Sequence, residues 1–359
     1  MIICHCIAGA IAGGAENLVK DLSIEQARIG EQVFVLLMNK ASSVFRCIDY
    51  EEDFISELTS HGVNVLFADK KSIFGIYPLL QSLRNGSCKG DDKIIVHCHL
   101  LKSLLASLML PKKYFKIIYT HHSMNLKIPK FFYKVLAKRV DGFIGISQAC
   151  AKVLEEAVGD RVQVIYNSVD QKKIKRKKIM LPQTPLRILM VGSFRWEKNY
   201  EVLLNALESL KLERSLFYID IFGEGEGFNH IQGRIIEKGL SDLVTLKGNN
   251  SSMSQEYSNY DLFLMCSVSE GLPISLIEAS VAGLPVAITN VGGCKEVVDL
   301  LNNGFVFSGT DESSLAKGLN IITTSYEDVF GTLPKNDSQI DSFYIEHSAS
   351  KHIYFYKGI

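Results

Sequence analysis

The sequence predicts an α/β protein built from two Rossmann-like domains, and three observations carry that expectation. Short apolar runs alternate with helix-periodic segments from residue 2 onward, the pattern of a parallel sheet with right-handed crossovers. The alternation breaks once, at the basic, proline-ended stretch QKKIKRKKIMLPQTP, whose composition suits a linker. It then restarts and runs almost to the end. A chain of 359 residues, 47% of them hydrophobic, can fill two such cores and exceeds one ordinary domain. The expected division is residues 1–170, a linker over 171–185, and a second domain over 186–342.

In order, IICHCI reads as the first strand. A helix from about Ala15 to Arg28 follows, turning Leu18, Leu22 and Ala27 inward. Strands are expected at Val33–Leu37, Val63–Phe67, KIIVHCH, KIIYT, GFIGIS and VQVIYN. The helices between them fall at Tyr50–Ser60, Ile76–Leu83 (ended by Asn85-Gly86), Leu100–Leu110, Pro129–Val140 and Gln148–Val158. In the second half RILMVG, LFYIDIFG, LVTLKG, DLFLMC, Val286–Ile288 and Gly304–Phe307 read as strands. Helices are expected at Asn199–Leu210, Phe228–Lys238, Met253–Ser258, after Pro273, and at Glu312–Ile321. A polar segment, Thr323–Asp341, precedes a closing helix from Ile345 to about Tyr356.

The balanced formal charge argues against a nucleic-acid binder. Eight scattered cysteines without a C-x-x-C pair point to a reduced, cytosolic compartment. Cys4-His5-Cys6 and His97-Cys98-His99 invite a zinc reading, but both lie on strands, whose alternate residues face opposite ways, and neither has zinc-finger spacing. No metal is expected. No apolar run is long enough to span a bilayer, and Ile2–Ala15 reads as a strand and loop rather than a leader.

The richest stretch is Tyr260–Gly293. Its strand leads into a polar loop carrying Glu270, then a helix whose first turn accommodates Pro273. The free N–H groups of Ile274, Ser275 and Leu276 make a partially positive helix end suited to an anion. Glu278 lies eight residues beyond Glu270, and two helical turns bring it back towards the loop. Acids on both sides of an anion site suit a ligand with a diphosphate between hydroxylated rings. Gly13-Gly14-Ala15-Glu16 also opens a helix after a strand; it is either a close-approach site for a phosphate or acceptor at Gly14, or a plain turn. The dinucleotide fingerprint G-x-G-x-x-G is absent.

Glu270-Gly271-Leu272-Pro273 through Glu278, with Ala282-Gly283-Leu284-Pro285-Val286 and Gly292-Gly293 behind, resembles the E-x7-E signature of retaining GT-B glycosyltransferases, family 4. The resemblance extends over nearly the whole chain. It implies the GT-B fold, with a cleft between the domains and a last helix, at about 343–359, crossing back to the first. The first domain would bind acceptor and the second a nucleoside diphosphate sugar. Thr120-His121-His122 matches the family's T-x-H, which sets His122 against the donor sugar. His99 fits either the family's H-x-H or a satisfied core histidine. Gly192-Ser193-Phe194-Arg195-Trp196-Glu197-Lys198 resembles the loop that grips the diphosphate. Ser193 stands where the commonest pattern has arginine, leaving Arg195 and Lys198 as its cations. Gly223-Glu224-Gly225 is similar to the family's loop near the nucleobase, and Leu246-Lys247-Gly248 would add backbone groups at the base edge. Glu270 would hold sugar hydroxyls, Glu278 the ribose, and the helix end at Ile274 the diphosphate. The resemblance implies front-face displacement of a hexose-type sugar with no metal or other cofactor. The acceptor would be a saccharide or lipid-linked. A GT-B sugar-nucleotide epimerase and a non-catalytic sugar-nucleotide-binding subunit are the alternatives.

Leu101–Val140 holds nine basic residues and no acidic one. Lys127, Lys130, Lys134 and Lys138 recur at helical spacing opposite Phe131, Phe132, Val135 and Leu136. Two readings stand: a stripe docking on an anionic, cytoplasmic membrane face, or a core-packed helix with a solvated lysine face.

Overall fold

A computed structural model describes residues 1–10, 13–44, 48–68, 75–87, 93–159, 161–177, 185–210, 216–331 and 337–359. Residues 178–184 of the expected linker lie outside them. The chain divides into two units, Met1–Val169 with Tyr344–Ile359, and Asp170–Phe343.

The first unit carries β1 (Ile2–Ile7), α1 (Gly14–Arg28), β2 (Gln32–Leu37), α2 (Ile48–Ser60), β3 (Asn64–Phe67), α3 (Ile76–Ser87), β4 (Ile94–Cys98), α4 (Leu101–Ser107), β5 (Phe115–His121), α5 (Lys130–Ala137), β6 (Gly142–Gly145), α6 (Gln148–Val158) and the two-residue β7 (Gln163–Val164). Its seven strands run parallel in the order β3-β2-β1-β4-β5-β6-β7. The order reverses between β1 and β4, leaving a crevice at their carboxyl ends. On one face Ile3, Ile95, Ile118, Ile144 and Ile165 pack under Ile353 and Tyr356. On the other, Cys4, Cys6, Val96 and Cys98 pack with residues of α3 to α6.

The second unit carries β8 (Leu186–Val191), α7 (Tyr200–Ser209), β9 (Phe217–Phe222), α8 (Phe228–Glu237), β10 (Val244–Gly248), α9 (Met253–Glu256), β11 (Leu262–Met265), α10 (Ile274–Val281), β12 (Val286–Thr289), α11 (Cys294–Leu301), β13 (Gly304–Phe307), α12 (Glu312–Thr324), α13 (Tyr326–Phe330) and α14 (Asp337–Ile340). Six parallel strands run β10-β9-β8-β11-β12-β13, reversing between β8 and β11. The last helix, α15 (Ile345–Gly358), belongs to the first unit, where Tyr344 bridges Val169.

Four local expectations need correction. Asn85-Gly86 does not end α3, which runs on to Ser87. The polar stretch after Ile321 is largely helical, holding the end of α12, α13 and α14, because Tyr326 and Phe330 bury against the second core. The helix α11 is not among the expected elements, although Val297, Val298 and Leu301 form a buried helical stripe. Leu136 was expected beside Phe131 and Phe132. It turns instead into the core with Tyr133, while Phe131, Phe132 and Val135 stay exposed at 69%, 51% and 50%.

Candidate functional site

At the β8/β11 reversal, two loops that are distant in sequence are sewn together. β8 runs out at Val191 into Gly192, and the chain reaches Lys198 through the short turn Trp196–Lys198. A Cβ at Gly192 would lie 3.0 Å from Lys198 Cε and 3.2 Å from the Tyr200 hydroxyl, which donates to the Gly192 carbonyl at 3.0 Å. Glycine there lets the lysine stem lie against the strand end. From the other side the Val268 N–H donates to the Glu197 carbonyl at 2.8 Å, and Cys266 Sγ lies 3.3 Å from the Lys198 carbonyl.

The outcome is an ion pair. Lys198 Nζ lies 2.6 Å from Glu270 Oε1, with side-chain exposures of only 19% and 13%. Ser267 Oγ donates to the same carboxylate oxygen at 2.7 Å, and Thr289 Oγ1 braces the Ser267 carbonyl at 2.6 Å. Gly292 explains the glycine pair. At φ +51° its backbone passes so close that a Cβ would sit 1.8 Å from the Glu270 carbonyl, and Gly293 N–H donates to the Gly271 carbonyl at 2.8 Å. Only glycine allows that approach.

Pro273 caps α10 from outside, and no side chain caps its N-terminus, so Ile274, Ser275 and Leu276 begin the helix as expected. Ser275 Oγ ties this turn to the Val191 carbonyl at 3.3 Å, placing the helix end beside β8. Glu278 accepts from the Tyr257 hydroxyl at 2.7 Å. Burial, with Glu278 beside it, pushes that phenol well above its usual range. Arg195 is exposed on the same loop as Lys198, its N–H on the Ser193 carbonyl at 2.9 Å. Gly223, at φ +142°, would put a Cβ 2.1 Å from the Gly192 carbonyl, so it packs one strand-end loop on another. Lys247 sits at a bulge of β10 and pairs with Asp220 at 3.4 Å.

In the first unit, Gly14 is the exposed first residue of α1, with Gly13 as its cap. His97, His121 and their successors His99 and His122 lie at the carboxyl ends of β4 and β5. His99 Nδ1 is 3.1 Å from His122 Nε2. Burial holds His122 and His121 down at about 4, with the neighbouring ring adding to it at His122 and Lys127 at His121. Ring nitrogens of His5, His97 and His99 all lie within 4.8 Å of one another. Cys4 and Cys6 face the opposite core from His5, as strand alternation requires. Parallel pairing of β1 with β4 nevertheless sets His5 beside His97 in register. Sequence reasoning also missed Ser267, Thr289 and Tyr257, ordinary residue types whose only signal is position. Among the described residues no helix is long and apolar enough to cross a membrane.

A doubly wound pair of parallel-sheet units, with an acid and a lysine clamped at one strand-order reversal, defines a class that binds ligands at strand ends. Two family models match end to end. The model described as Glycosyltransferase Family 4 matches residues 12–173, and that described as Glycosyl transferases group 1 matches 171–329. The chain belongs to the group 1 glycosyltransferases of GT-B fold. It is 28% identical over 197 residues to the putative colanic acid biosynthesis glycosyltransferase WcaL of Escherichia coli K12, a match covering 52% of this chain and 48% of WcaL. The chain thus spans about half the length of the first curated relatives it matches. An uncharacterized glycosyltransferase of Haemophilus influenzae is 24% identical over 327 residues, covering 88% of each. The crystal structure of Anabaena Alr3699/HepE in complex with UDP and glucose superposes with a TM-score of 0.77 over 100% of both chains at 17% identity, a likeness of fold.

Proposed function

We propose that this chain is a retaining glycosyltransferase moving a hexose-type sugar from a nucleoside diphosphate sugar to a saccharide or lipid-linked acceptor in cell-surface polysaccharide synthesis. The observation that carries it is the Lys198–Glu270 pair, 2.6 Å apart at the ends of β8 and β11, beside the uncapped start of α10. Lys198, with Arg195 on its loop, and the N–H groups of Ile274, Ser275 and Leu276 stabilise a departing diphosphate. Glu270 holds donor-sugar hydroxyls, His122 contacts the sugar, and Glu278 holds the ribose, anchored by Tyr257. Gly14 lets the first unit's backbone approach the ligand, and Gly223 serves the base end. In the transfer the bond from the sugar's C1 to diphosphate oxygen breaks and one to the acceptor oxygen forms on the same face. The acceptor proton passes to the leaving diphosphate, so no enzymic nucleophile is needed. The colanic acid pathway in WcaL's name and the UDP and glucose bound to HepE support the polysaccharide and sugar-nucleotide parts of this reading.

Incubation with a panel of labelled sugar nucleotides tests it. Transfer with retained anomeric configuration is expected; isomerised donor alone would mean an epimerase, and binding without turnover a partner subunit. Transfer should persist in EDTA, since side-chain cations and a helix end do what a divalent ion does elsewhere. Loss on chelation with rescue by manganese would overturn the metal-free mechanism.

The acceptor lies at an anionic, cytoplasmic membrane face in this reading, supported by α5. Its exposed Phe131, Phe132 and Val135 stand among exposed Lys127, Lys130, Lys134 and Lys138; Lys130 pairs with Glu156 at 2.9 Å. Each cation near such a surface contributes about 1 kcal/mol, and apolar insertion adds to it. The protein should sediment with anionic vesicles, release in high salt, and weaken when Lys130, Lys134 and Lys138 become glutamate. Equal binding to neutral vesicles, or none to either kind, would leave the patch without this role.

A further inference from the structure

A buried polar seam crosses the first unit between its sheet and the helices α1 and α15. His5 Nε2 lies 2.8 Å from Gln26 Oε1, and His5 Nδ1 lies 3.0 Å from His99 Nε2. His99 Nδ1 then meets His122 Nε2 at 3.1 Å. Beside this chain, His97 lies between the Tyr356 hydroxyl and Thr120 Oγ1, at 2.6 Å from each. Gln26, His5, His97 and Thr120 are buried, as is His99 but for a small edge, while His122 is half-buried.

A neutral imidazole has one N–H and one bare nitrogen, so every contact in such a chain dictates the next. Gln26 Oε1 can only accept. His5 therefore carries its proton on Nε2 and offers Nδ1 bare. His99 must donate to it from Nε2, leaving its own Nδ1 bare to accept from His122 Nε2. The far end of the chain is then His122 Nδ1, without a proton. Burial keeps the rings neutral, holding His5 and His122 down at about 4 and His99 well below its usual range. A cation among His5, His97 and His99 would instead have to displace a short hydrogen bond, because both nitrogens of His97 are engaged.

We infer that Gln26, His5 and His99 are positioning residues that set the tautomer of His122, so that it presents a hydrogen-bond acceptor to the donor sugar. The second half rests on the reading of His122 as the sugar-facing residue. An accepting nitrogen selects a sugar hydroxyl, which can donate. It disfavours the carboxylate of a hexuronate, whose lone pairs would face its own. The proposal thus narrows the donor to neutral sugars.

Two-bond 1H–15N correlation on histidine-labelled protein reads each tautomer directly. In the wild type, His5, His99 and His122 should all carry the proton on Nε2. Gln26→Leu should strand the His5 N–H and move the proton of His122 to Nδ1. His5→Phe, which leaves Gln26 in place, should release His122 in the same way. Protonated Nδ1 at His122 in the wild type would overturn the relay even if neither variant folded. So would an unchanged His122 signal in a folded variant, or zinc bound in stoichiometric amount. Kinetics separate the two halves. With the tautomer switched, kcat/KM for a neutral-sugar donor should fall roughly tenfold, the worth of one hydrogen bond, while the hexuronate donor loses nothing. A switched tautomer with unchanged discrimination would refute the sugar-facing placement of His122 and leave the relay standing.

Discussion

Lys198→Ala should raise the barrier to sugar transfer by roughly 2–4 kcal/mol, which is about thirtyfold to about a thousandfold in kcat. The lysine is a cation built into the β8/β11 reversal, and on the proposed function its loss removes charge where negative charge would grow as diphosphate departs. The variant also strands Glu270, which is only 13% exposed and loses its 2.6 Å partner, so some damage will come through the carboxylate. The double variant Lys198→Ala/Glu270→Ala separates these effects. If Lys198 merely keeps Glu270 in place, the double variant will match Glu270→Ala. If it acts on the diphosphate, the double variant will be slower than Glu270→Ala, which should itself lose mostly turnover by failing to orient the sugar. Near-wild-type transfer by Lys198→Ala would sink the assignment of the diphosphate site.

Acid should unfold the first unit well before carboxylates alone would require. Six histidines there are held neutral chiefly by burial: His5, His121 and His122 titrate near 4 and His352 near 3, with His97 and His99 well below their usual range. In the unfolded chain each takes a proton at its ordinary value of 6.5. Between that value and about 4 the unfolded state therefore binds more protons than the native one, and stability falls as pH drops. Above 6.5 these rings add no slope. His5 alone is worth about 3 kcal/mol over the window; the neighbouring rings interact, so the losses do not simply add. Urea unfolding followed by circular dichroism should show midpoints dropping steadily between about pH 6.5 and about pH 4.5. Hydrogen exchange should place the loss in β1, β4 and α15. A flat midpoint across that range would mean that the rings are solvated or already charged.

Much of this molecule is readable from short stretches of sequence. Strand and helix periodicities repeat within ten residues or so, and they located nearly every element, including the ends of β1 and α6. The glycine turns and the helix start at Pro273 also stood out, because a positive φ or a missing N–H restricts residue type locally; the candidate acids and Lys198 stood out through the family motifs they resemble. Where the pattern was ambiguous, it failed for a physical reason. The helix α5 is amphipathic, but which residues face inward depends on the rotation at which Tyr133 and Leu136 seat in the core. Contacts between distant side chains were beyond any local pattern. Lys198 reaches Glu270 across 72 residues and His97 reaches Tyr356 across 259. Such meetings need the register of parallel strands and the angle at which a returning helix crosses them. The sequence by itself determined two parallel α/β units and the residue types at their strand ends. Tertiary structure decided which of those residues share a charge or a proton, because that is settled by packing over distances no periodicity spans.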